Sequence, residues 1–402
     1  MEITLRDVEL ASERLRPILH HTRLDLSSTF SSMTGGEVYL KLENLQKTGS
    51  FKIRGASNKI AVMAERGERR PVVASSAGNH AQGVAHAAAQ FGIPATIVMP
   101  KTAPIAKVQA TKGYGARVVL AGDCYDDAYR RACEICEEEG AVFLHPYNDP
   151  EVIAGQGTLA LEILAELPET DIIIVPAGGG GLLAGTALAA KSVKPQVKVY
   201  GVQAAGADAI AQSFREKRLV TTDTASTIAD GIAVKAPGDL TVDIINRYAD
   251  GILTVSDSEI ADAILLLMER CKQIVEPAGA TPLAAILNDK LDVRGRRVVC
   301  VMSGGNIDVS FIQSIIERGL VARHRRLKVA VTLLDRPGSL AKVLQLIAEA
   351  GANILRVEHD KLGAALNPNE ANVHITCEVG GREHGDAVVK KLHDNGFRVE
   401  RE

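Results

Sequence analysis

Several short apolar runs in this chain end in turns of glycine and small polar residues, and each turn leads into an amphipathic stretch. Three of these runs cover 72–74, 172–175 and 297–302. Apolar runs that alternate with amphipathic stretches are typical of parallel strands joined by crossover helices. Open parallel sheets bind ligands beyond the carboxyl ends of their strands. The sequence therefore predicts an α/β fold of two lobes with a cleft between them, and its strand ends are the places to look for a site.

Charge and composition argue against several classes of protein. The 402 residues contain Lys+Arg 46 and Asp+Glu 49, a net charge of -3, so the chain lacks the basic field that holds nucleic acid. Its six cysteines are too sparse for a disulfide framework, and no secretory signal is visible at the N-terminus. The uncharged stretch 172–190 is long enough to span a bilayer, but Pro176 and the glycines at 178–181 interrupt it. We expect a cytoplasmic protein with neither a nucleic-acid nor a membrane partner.

The pattern changes near residue 322, where a basic run at 323–326 precedes a new apolar strand. From there the order of predicted elements is strand, helix, strand, strand, helix, strand, which is the ferredoxin-like unit. The predicted elements are strands at 328–334, 353–359, 372–379 and near Arg398, and helices at 339–349 and 385–395. The sequence thus predicts a two-lobed catalytic domain at 1–322, a linker at 323–326 and a second domain at 327–402.

A lysine follows the polar turn that joins a predicted strand near Lys41 to a predicted helix. We expect this helix to start at Ser50, which places Lys52 in its first turn. The positive end of a helix disfavours a protonated amine. A neutral lysine amine can act as a nucleophile and form a Schiff base. The alternative is a lysine that is simply solvated at the start of a helix.

The turn after the strand at 72–74 consists of small residues and opens the next predicted helix. Several backbone N–H groups at 76–80 would therefore point into the cleft, an arrangement suited to an anion such as a carboxylate. Asn79 adds a neutral donor and acceptor. His80 is either a general base or a histidine that only starts the helix.

Four consecutive glycines at 178–181 follow the strand at 172–175 and precede a helix. This geometry can cradle a phosphate on backbone amides. Residue 203, where a dinucleotide site would need an acid for the ribose, is Gln203. The turn therefore indicates a single phosphate rather than a dinucleotide, and the alternative is a close contact between helix and sheet.

Ser303 ends another predicted strand and faces the same edge of the cleft. Its hydroxyl offers a hydrogen-bonding group without negative charge. A carboxylate beside the nitrogen of a pyridoxal ring would keep that nitrogen protonated and make the ring a strong electron sink, whereas a serine leaves it neutral. A serine in this place favours elimination of a β-substituent over transamination.

In this order, the lysine segment, the 76–80 turn, the glycine turn and the 303–306 segment resemble the threonine dehydratase (threonine ammonia-lyase) family. The resemblance covers nearly the whole chain. It implies a pyridoxal 5'-phosphate enzyme of the tryptophan-synthase-β-like fold, fold type II. The turn at 335–340 resembles that of ACT domains, which implies that the ferredoxin-like tail is an ACT domain.

The resemblance also implies a role for each candidate residue. Lys52 would hold the cofactor through a Schiff base and, once freed by the substrate, would take the Cα proton. Asn79 would meet the ring hydroxyl and Ser303 the ring nitrogen. The phosphate would lie on Gly178, Gly179, Gly180, Gly181 and Leu182, and the substrate carboxylate on Ser76, Ala77, Gly78, Asn79 and His80. Gly231 and Glu276 would line the ring.

The implied reaction is the deamination of L-threonine to 2-oxobutanoate and ammonia, with L-serine to pyruvate as a second reaction. The alternative is a serine racemase of the same fold. Serine racemases carry a second serine in the asparagine turn, where this chain has Ala77. Their metal loop has carboxylates six positions apart, where this chain has Gln203 and Ala209, so we expect no divalent metal site. Asp208 or backbone carbonyls could still hold a monovalent ion.

The resemblance extends to regulation and assembly. By analogy, the ACT domain would bind an amino-acid effector, isoleucine or valine, with the backbone amides after Pro337 taking its carboxylate. The alternative is a domain that serves only oligomerisation. ACT pairing and the family both suggest a homodimer or homotetramer. The sequence leaves open whether the enzyme serves isoleucine biosynthesis or threonine breakdown.

Overall fold

The computed structural model describes residues 2–361 and 367–402. Its chain divides into two compact units, Met1–Asp308 and Val309–Glu402. The first unit contains the helices α1 (Leu5–Leu15), α2 (Ser28–Thr34), α3 (Lys52–Glu65), α4 (Asn79–Gln90), α5 (Ile105–Gly113), α6 (Tyr125–Glu139), α7 (Pro150–Glu166), α8 (Gly181–Val193), α9 (Ala209–Glu216), α10 (Asp239–Tyr248), α11 (Asp257–Leu266) and α12 (Pro277–Leu287). Its strands are β1 (Leu24–Leu26), β2 (Glu37–Lys41), β3 (Val72–Ser75), β4 (Ala95–Met99), β5 (Arg117–Leu120), β6 (Val142–Phe143), β7 (Ile172–Pro176), β8 (Lys198–Ala204), β9 (Gly251–Val255) and β10 (Arg297–Val301).

These strands form two sheets. The larger has the order β1-β2-β10-β7-β8-β9 and is parallel except for β1. The smaller has the order β5-β4-β3-β6 and is entirely parallel. The predicted α/β fold with two parallel-sheet lobes is therefore confirmed. Because β2 and β10 are neighbours, the sheet places the beginning and the end of the first unit side by side.

The buried helices α7 and α8 pack against each other through glycines. This contact holds the start of α8 near the edge of the sheet. A Cβ on Gly185 of α8 would lie 2.3 Å from the Ile153 carbonyl oxygen of α7. A Cβ on Gly157 of α7 would lie 2.8 Å from the Gly185 carbonyl oxygen. Only glycine allows helices this close. The uncharged stretch 172–190 thus forms β7, the glycine turn and most of α8. In the ranges that the structure describes, no helix is both long enough and apolar enough to cross a membrane.

The second unit contains α13 (Val309–Ala322), β11 (Arg326–Leu334), α14 (Ser339–Glu349), β12 (Asn353–Asp360), β13 (Glu370–Glu378), α15 (Arg382–Asp394) and β14 (Arg398–Arg401). Its antiparallel sheet has the order β12-β13-β11-β14. Burial alternates along β11 and β13, and the buried face packs on α14 and α15. The ferredoxin-like order is confirmed. The loop expected between β12 and β13 includes 362–366, which lie outside the described residues.

The compact units divide earlier than the domain boundary that we placed after residue 322. Helix α13 groups with the second unit, and Arg326 of β11 forms an ion pair with Glu317 of α13. Arg326, which we assigned to the linker, already belongs to β11. The functional boundaries at 322 and 327 stay a prediction.

A buried cluster of charges supports the first turns of α3. Arg54 is fully buried, and its guanidinium donates to both oxygens of Glu43 and both of Glu162 at 2.6–2.9 Å. Lys41 is also fully buried and pairs with Glu162 at 2.9 Å. Buried charges are stable only when each is paired and hydrogen-bonded. This cluster therefore holds α3, and with it Lys52, to β2 and α7.

We expect Arg54→Met to destabilise the protein, because the buried Glu43 and Glu162 carboxylates would lose their cation. Removing one partner of a buried ion pair typically lowers the free energy of unfolding by about 3–5 kcal/mol. Urea unfolding followed by circular dichroism measures this change. The control is Arg131→Met, since Arg131 pairs with glutamates on the exposed face of its own helix and should leave the midpoint nearly unchanged. Equal midpoints for the two variants would contradict the role of the cluster.

Candidate active site

A cavity of about 490 Å³ opens at the carboxyl ends of strands from both sheets of the first unit. The candidate residues that line it are Lys52, Ser76, Ala77, Gly78, Asn79, His80, Gly178, Gly179, Gly180, Gly181, Leu182 and Ser303, together with Gly231 and Glu276. Residues separated by most of the unit's length are thus brought to one place. Six further residues line the cavity that the sequence analysis did not name as site residues: Lys107, Tyr125, Tyr147, Asp230, Lys235 and Asn306.

Lys52 is the first residue of α3, and its amine lies inside the cavity. The helix begins two residues later than we predicted, because Ser50 pairs with Gly304 in a β-bridge and the Phe51 N–H donates to the Ser303 carbonyl at 3.0 Å. The Lys52 amine donates to the Pro146 carbonyl at 2.9 Å. Burial lowers the pKa of Lys52 to about 8, although the Glu276 carboxylate opposes this shift. A lysine with such a pKa has a substantial neutral fraction near neutral pH, so it can act as a nucleophile.

The turn at 76–80 leads from β3 into α4, whose first residue is Asn79. His80 follows, and it is buried with its Nε2 at 2.8 Å from the Leu144 carbonyl oxygen. Burial and the nearby charge of Lys52 lower the pKa of His80 to about 3. The imidazole is therefore neutral at physiological pH and tied to the backbone. Its predicted part in binding the substrate carboxylate stays a prediction.

The glycine turn leaves no room for side chains at the start of α8. Gly180 caps the helix with φ 95°, a left-handed conformation that favours glycine. A Cβ on Gly179 would lie 2.3 Å from the ring of Tyr147, and a Cβ on Gly178 would lie 2.9 Å from the Ile232 Cα. These glycines line the cavity at the start of a helix, and the N–H groups of a helix start are suited to an anion. The glycines also serve close packing, the alternative that the sequence left open.

Asn79 is held between two other side chains of the cavity. Its Nδ2 donates to Glu276 Oε1 at 2.7 Å, and its Oδ1 accepts from Asn306 Nδ2 at 2.7 Å. Burial raises the pKa of Glu276 to about 7, against the hydrogen bond from Asn79. Asn306 belongs to the 303–306 motif, but the sequence does not show that its side chain contacts Asn79, so we predicted no role for it. Tyr147 belongs to none of the motifs, and nothing in the sequence pointed to it.

The residues at the position of the metal loop are engaged with α9. Gln203 Oε1 accepts from the Ala211 N–H at 2.8 Å, and Asp208 Oδ1 accepts from Gln212 Nε2 at 2.7 Å. Over 2–361 and 367–402, no group of three His, Cys, Asp or Glu side chains is placed to hold a metal ion. The expectation that this chain has no divalent metal site stays a prediction.

Residues 15–304 match the family described as pyridoxal-phosphate dependent enzyme. The chain belongs to this family. Its cofactor is therefore pyridoxal phosphate, as the resemblance of the motifs implied. Residues 329–397 match the ACT domain, so the second part of the resemblance is confirmed as well.

Three individual proteins are similar to this chain over most of its length. An L-threonine ammonia-lyase of Thermotoga maritima is 49% identical over 99% of this chain and 99% of its own length. Among solved structures, maize serine racemase is 37% identical with a TM-score of 0.75, over 81% of this chain and 100% of its own. The processed form of threonine deaminase isoform 2 from Solanum lycopersicum is 33% identical with a TM-score of 0.75, over 78% of this chain and 87% of its own.

The residues present fit pyridoxal phosphate. The cofactor needs an amine for its aldehyde, a cradle for its phosphate and polar partners for its ring. The cavity supplies the Lys52 amine, the glycine turn, whose cradle a Cβ would fill, and the buried Ser303 hydroxyl. The Ser75 hydroxyl at the end of β3 is buried without a hydrogen-bond partner in the protein and also lines the cavity. An orphaned polar atom of this kind is expected where a bound group completes the site.

The pKa of Lys52 predicts how fast cofactor-depleted protein recaptures pyridoxal phosphate. With a pKa of about 8, about a tenth of the amine is neutral at pH 7 and about nine-tenths at pH 9. Only the neutral amine attacks an aldehyde, so the association rate should rise about tenfold between these values, with its midpoint near pH 8. Stopped-flow absorbance measures this rate.

A second variant makes this test specific to Lys52. The Glu276 carboxylate raises the pKa of Lys52, so Glu276→Gln should move the midpoint to lower pH. A rate that rises about a hundredfold between pH 7 and pH 9 and levels off only above pH 10 would show that the amine has the pKa of an ordinary solvated lysine.

Proposed function

We propose that this enzyme is a threonine ammonia-lyase, which converts L-threonine to 2-oxobutanoate and ammonia and L-serine to pyruvate. The observation that carries the proposal is the Thermotoga maritima relative named L-threonine ammonia-lyase, which is 49% identical over 99% of both chains. The cavity supports it, since the lysine, the glycine turn and the serine that the chemistry needs line one space. We place the enzyme in the cytoplasm, because a chain with so few cysteines is typical of a reducing compartment.

Bound pyridoxal phosphate supplies an electron sink for the carbanion that forms when the substrate loses its Cα proton. We assign the rest of the chemistry to the chain. Lys52 holds the cofactor and, once released, takes the Cα proton at close range. The backbone amides of 178–182 hold the phosphate, and the turn at 76–80 holds the substrate carboxylate. Asn79 donates to the ring hydroxyl.

The proposed role of Ser303 decides between reaction types. Ser303 is buried and uncharged, and it stands at the end of β10. Ser303 would offer the ring nitrogen of the cofactor an uncharged partner, and the bound group would then supply a weaker electron sink, which favours loss of a leaving group at Cβ over transamination. The hydroxyl of threonine is such a leaving group. The site therefore favours elimination over transamination.

Product release from L-threonine tests this proposal. Wild-type protein should form 2-oxobutanoate, and Lys52→Ala should form none, because the variant lacks both the cofactor anchor and the base. A coupled lactate dehydrogenase assay follows the 2-oxo acid, and the visible absorbance of the bound cofactor shows that the wild-type protein is loaded. A loaded wild-type protein that releases no 2-oxobutanoate would exclude the proposed reaction.

A serine racemase is the second candidate, favoured by the similarity to maize serine racemase at a TM-score of 0.75. Ala77 lines the cavity directly after Ser76, where the racemases carry a second serine. Without that hydroxyl, a proton donor on the opposite face of the substrate is missing. Chiral chromatography after incubation with L-serine separates the candidates, since a racemase gives D-serine and a lyase gives pyruvate.

We further propose that the ACT domain binds an amino-acid effector at the turn before α14, and that the enzyme is a homodimer or homotetramer. Isoleucine, the effector of a biosynthetic role, and valine are the first candidates. The turn contains Gly338 at φ 91°, which caps α14 and leaves the first N–H groups of this helix free of a side-chain cap. Such a helix start is suited to the carboxylate of a free amino acid.

An amino-acid panel tests the regulatory role. Isoleucine or valine should change the half-saturating threonine concentration several-fold, and Gly338→Val should weaken this response by straining the left-handed turn. The matched control is Gly396→Val, which strains another left-handed glycine of the same unit, and both glycines have open space around them. If no amino acid changes rate or affinity, the domain has no such regulatory role.

A further inference from the structure

The side chain of Asn306 is fixed by the backbone around it. Its Nδ2 donates to the Thr48 carbonyl at 2.8 Å. A Cβ on Gly49, which adopts φ 74°, would lie 2.5 Å from Asn306 Oδ1. A carbonyl oxygen only accepts hydrogen bonds, so the amide of Asn306 cannot turn over without placing two oxygens against each other. The nitrogen of Asn306 must therefore face Thr48.

The orientation of the Asn306 amide determines the orientation of the Asn79 amide. The second hydrogen of Asn306 Nδ2 points to Asn79, so the atom of Asn79 that it meets is Oδ1, at 2.7 Å. The amide nitrogen of Asn79 is then on the other side, where it donates to Glu276 Oε1 at 2.7 Å. One hydrogen of this nitrogen is used by Glu276. The other is left for an acceptor in the cavity that Asn79 lines.

We propose that Asn306 is a positioning residue that sets the orientation of the Asn79 amide, so that Asn79 offers an N–H donor rather than a carbonyl oxygen to the bound cofactor. The two orientations of an asparagine amide have nearly the same shape, so packing alone does not choose between them. A ring oxygen that carries negative charge needs a donor. The inference rests on the proposed contact between Asn79 and the cofactor, but not on which amino acid is the substrate.

A variant that reverses the Asn79 amide tests the proposal more directly than a variant that removes Asn306. In Asn306→Asp the ionised side chain only accepts hydrogen bonds, so it draws the Asn79 nitrogen toward itself. The Asn79 oxygen then accepts from Glu276 in its protonated form, which a pKa of about 7 allows. We expect the affinity for pyridoxal phosphate to fall about 10- to 100-fold, the size of a lost hydrogen bond to a charged group. Asn306→Ala removes one of the two groups that orient Asn79 but keeps Glu276 as an acceptor for its nitrogen, so it should weaken binding less. Asn79→Ala gives the effect of losing the contact altogether.

A double variant separates orientation from stability. In Asn306→Asp with Glu276→Gln, the new amide at 276 can donate to the reversed Asn79, so Asn79 has a partner on both sides again, while the Thr48 carbonyl still lacks the donor that Asn306 gave it. We expect this variant to recover part of the unfolding temperature that Asn306→Asp loses. Its affinity for pyridoxal phosphate, compared with that of Glu276→Gln alone, should stay low, because Asn79 still presents its oxygen.

The measurements use the full-length protein, stripped of cofactor and titrated with pyridoxal phosphate, with thermal unfolding followed in parallel. Asn288→Asp is the matched control: Asn288 also donates to a backbone carbonyl, at 2.8 Å, in the same unit, but it does not line the cavity, and its affinity should equal that of the wild type. Wild-type affinity in Asn306→Asp would overturn the proposal. So would recovery of both stability and affinity in the double variant, or an Asn79→Ala variant that binds as tightly as the wild type. None of these outcomes depends on release of 2-oxobutanoate, so a failure of the proposed reaction is seen separately.

Discussion

The active site depends on the parallel pairing of β2 with β10. In this register Lys41 pairs with Val301, and the chains beyond both strands stay in contact through the bridge between Ser50 and Gly304. The pairing is what sets Lys52 beside Ser303, although the two residues are separated by most of the first unit. A shift of this register by one residue would turn the side chains of the shifted strand to the opposite face of the sheet. The pairing of strands in the sheet therefore determines how close Lys52 lies to Ser303, whatever the local contacts of the two side chains are.

Charge is distributed differently behind the site and inside it. Behind the start of α3, Arg54 and Lys41 are fully buried and fully paired with carboxylates. Inside the cavity, Lys52 and Glu276 change protonation close to physiological pH, because burial lowers the pKa of Lys52 to about 8 and raises that of Glu276 to about 7. The first arrangement gives rigidity, and the second leaves protons free to move at physiological pH.

The sequence predicted the fold well where the signal was local. The strand ends, the glycine turn and the lysine in a first helical turn all follow from short patterns, and the structure brings these residues to one cavity. The start of α3 was misplaced at Ser50, because its bridge to Gly304 is a long-range contact that no local pattern reports. Asn306 and Tyr147 were missed for the same reason, since their roles depend on side chains far away in the sequence.

The two sheets of the first unit differ in when they can form during synthesis. Strands β3 to β6 follow one another along the chain and pair only among themselves, so the smaller sheet can fold as soon as this segment has left the ribosome. Strand β2 must wait for β10, roughly 250 residues later, which at ~5–20 residues per second is on the order of ten to fifty seconds. Throughout that interval the edge of β2 has no partner on the β10 side. Capture of the cofactor therefore follows translation of the unit and does not guide its early folding.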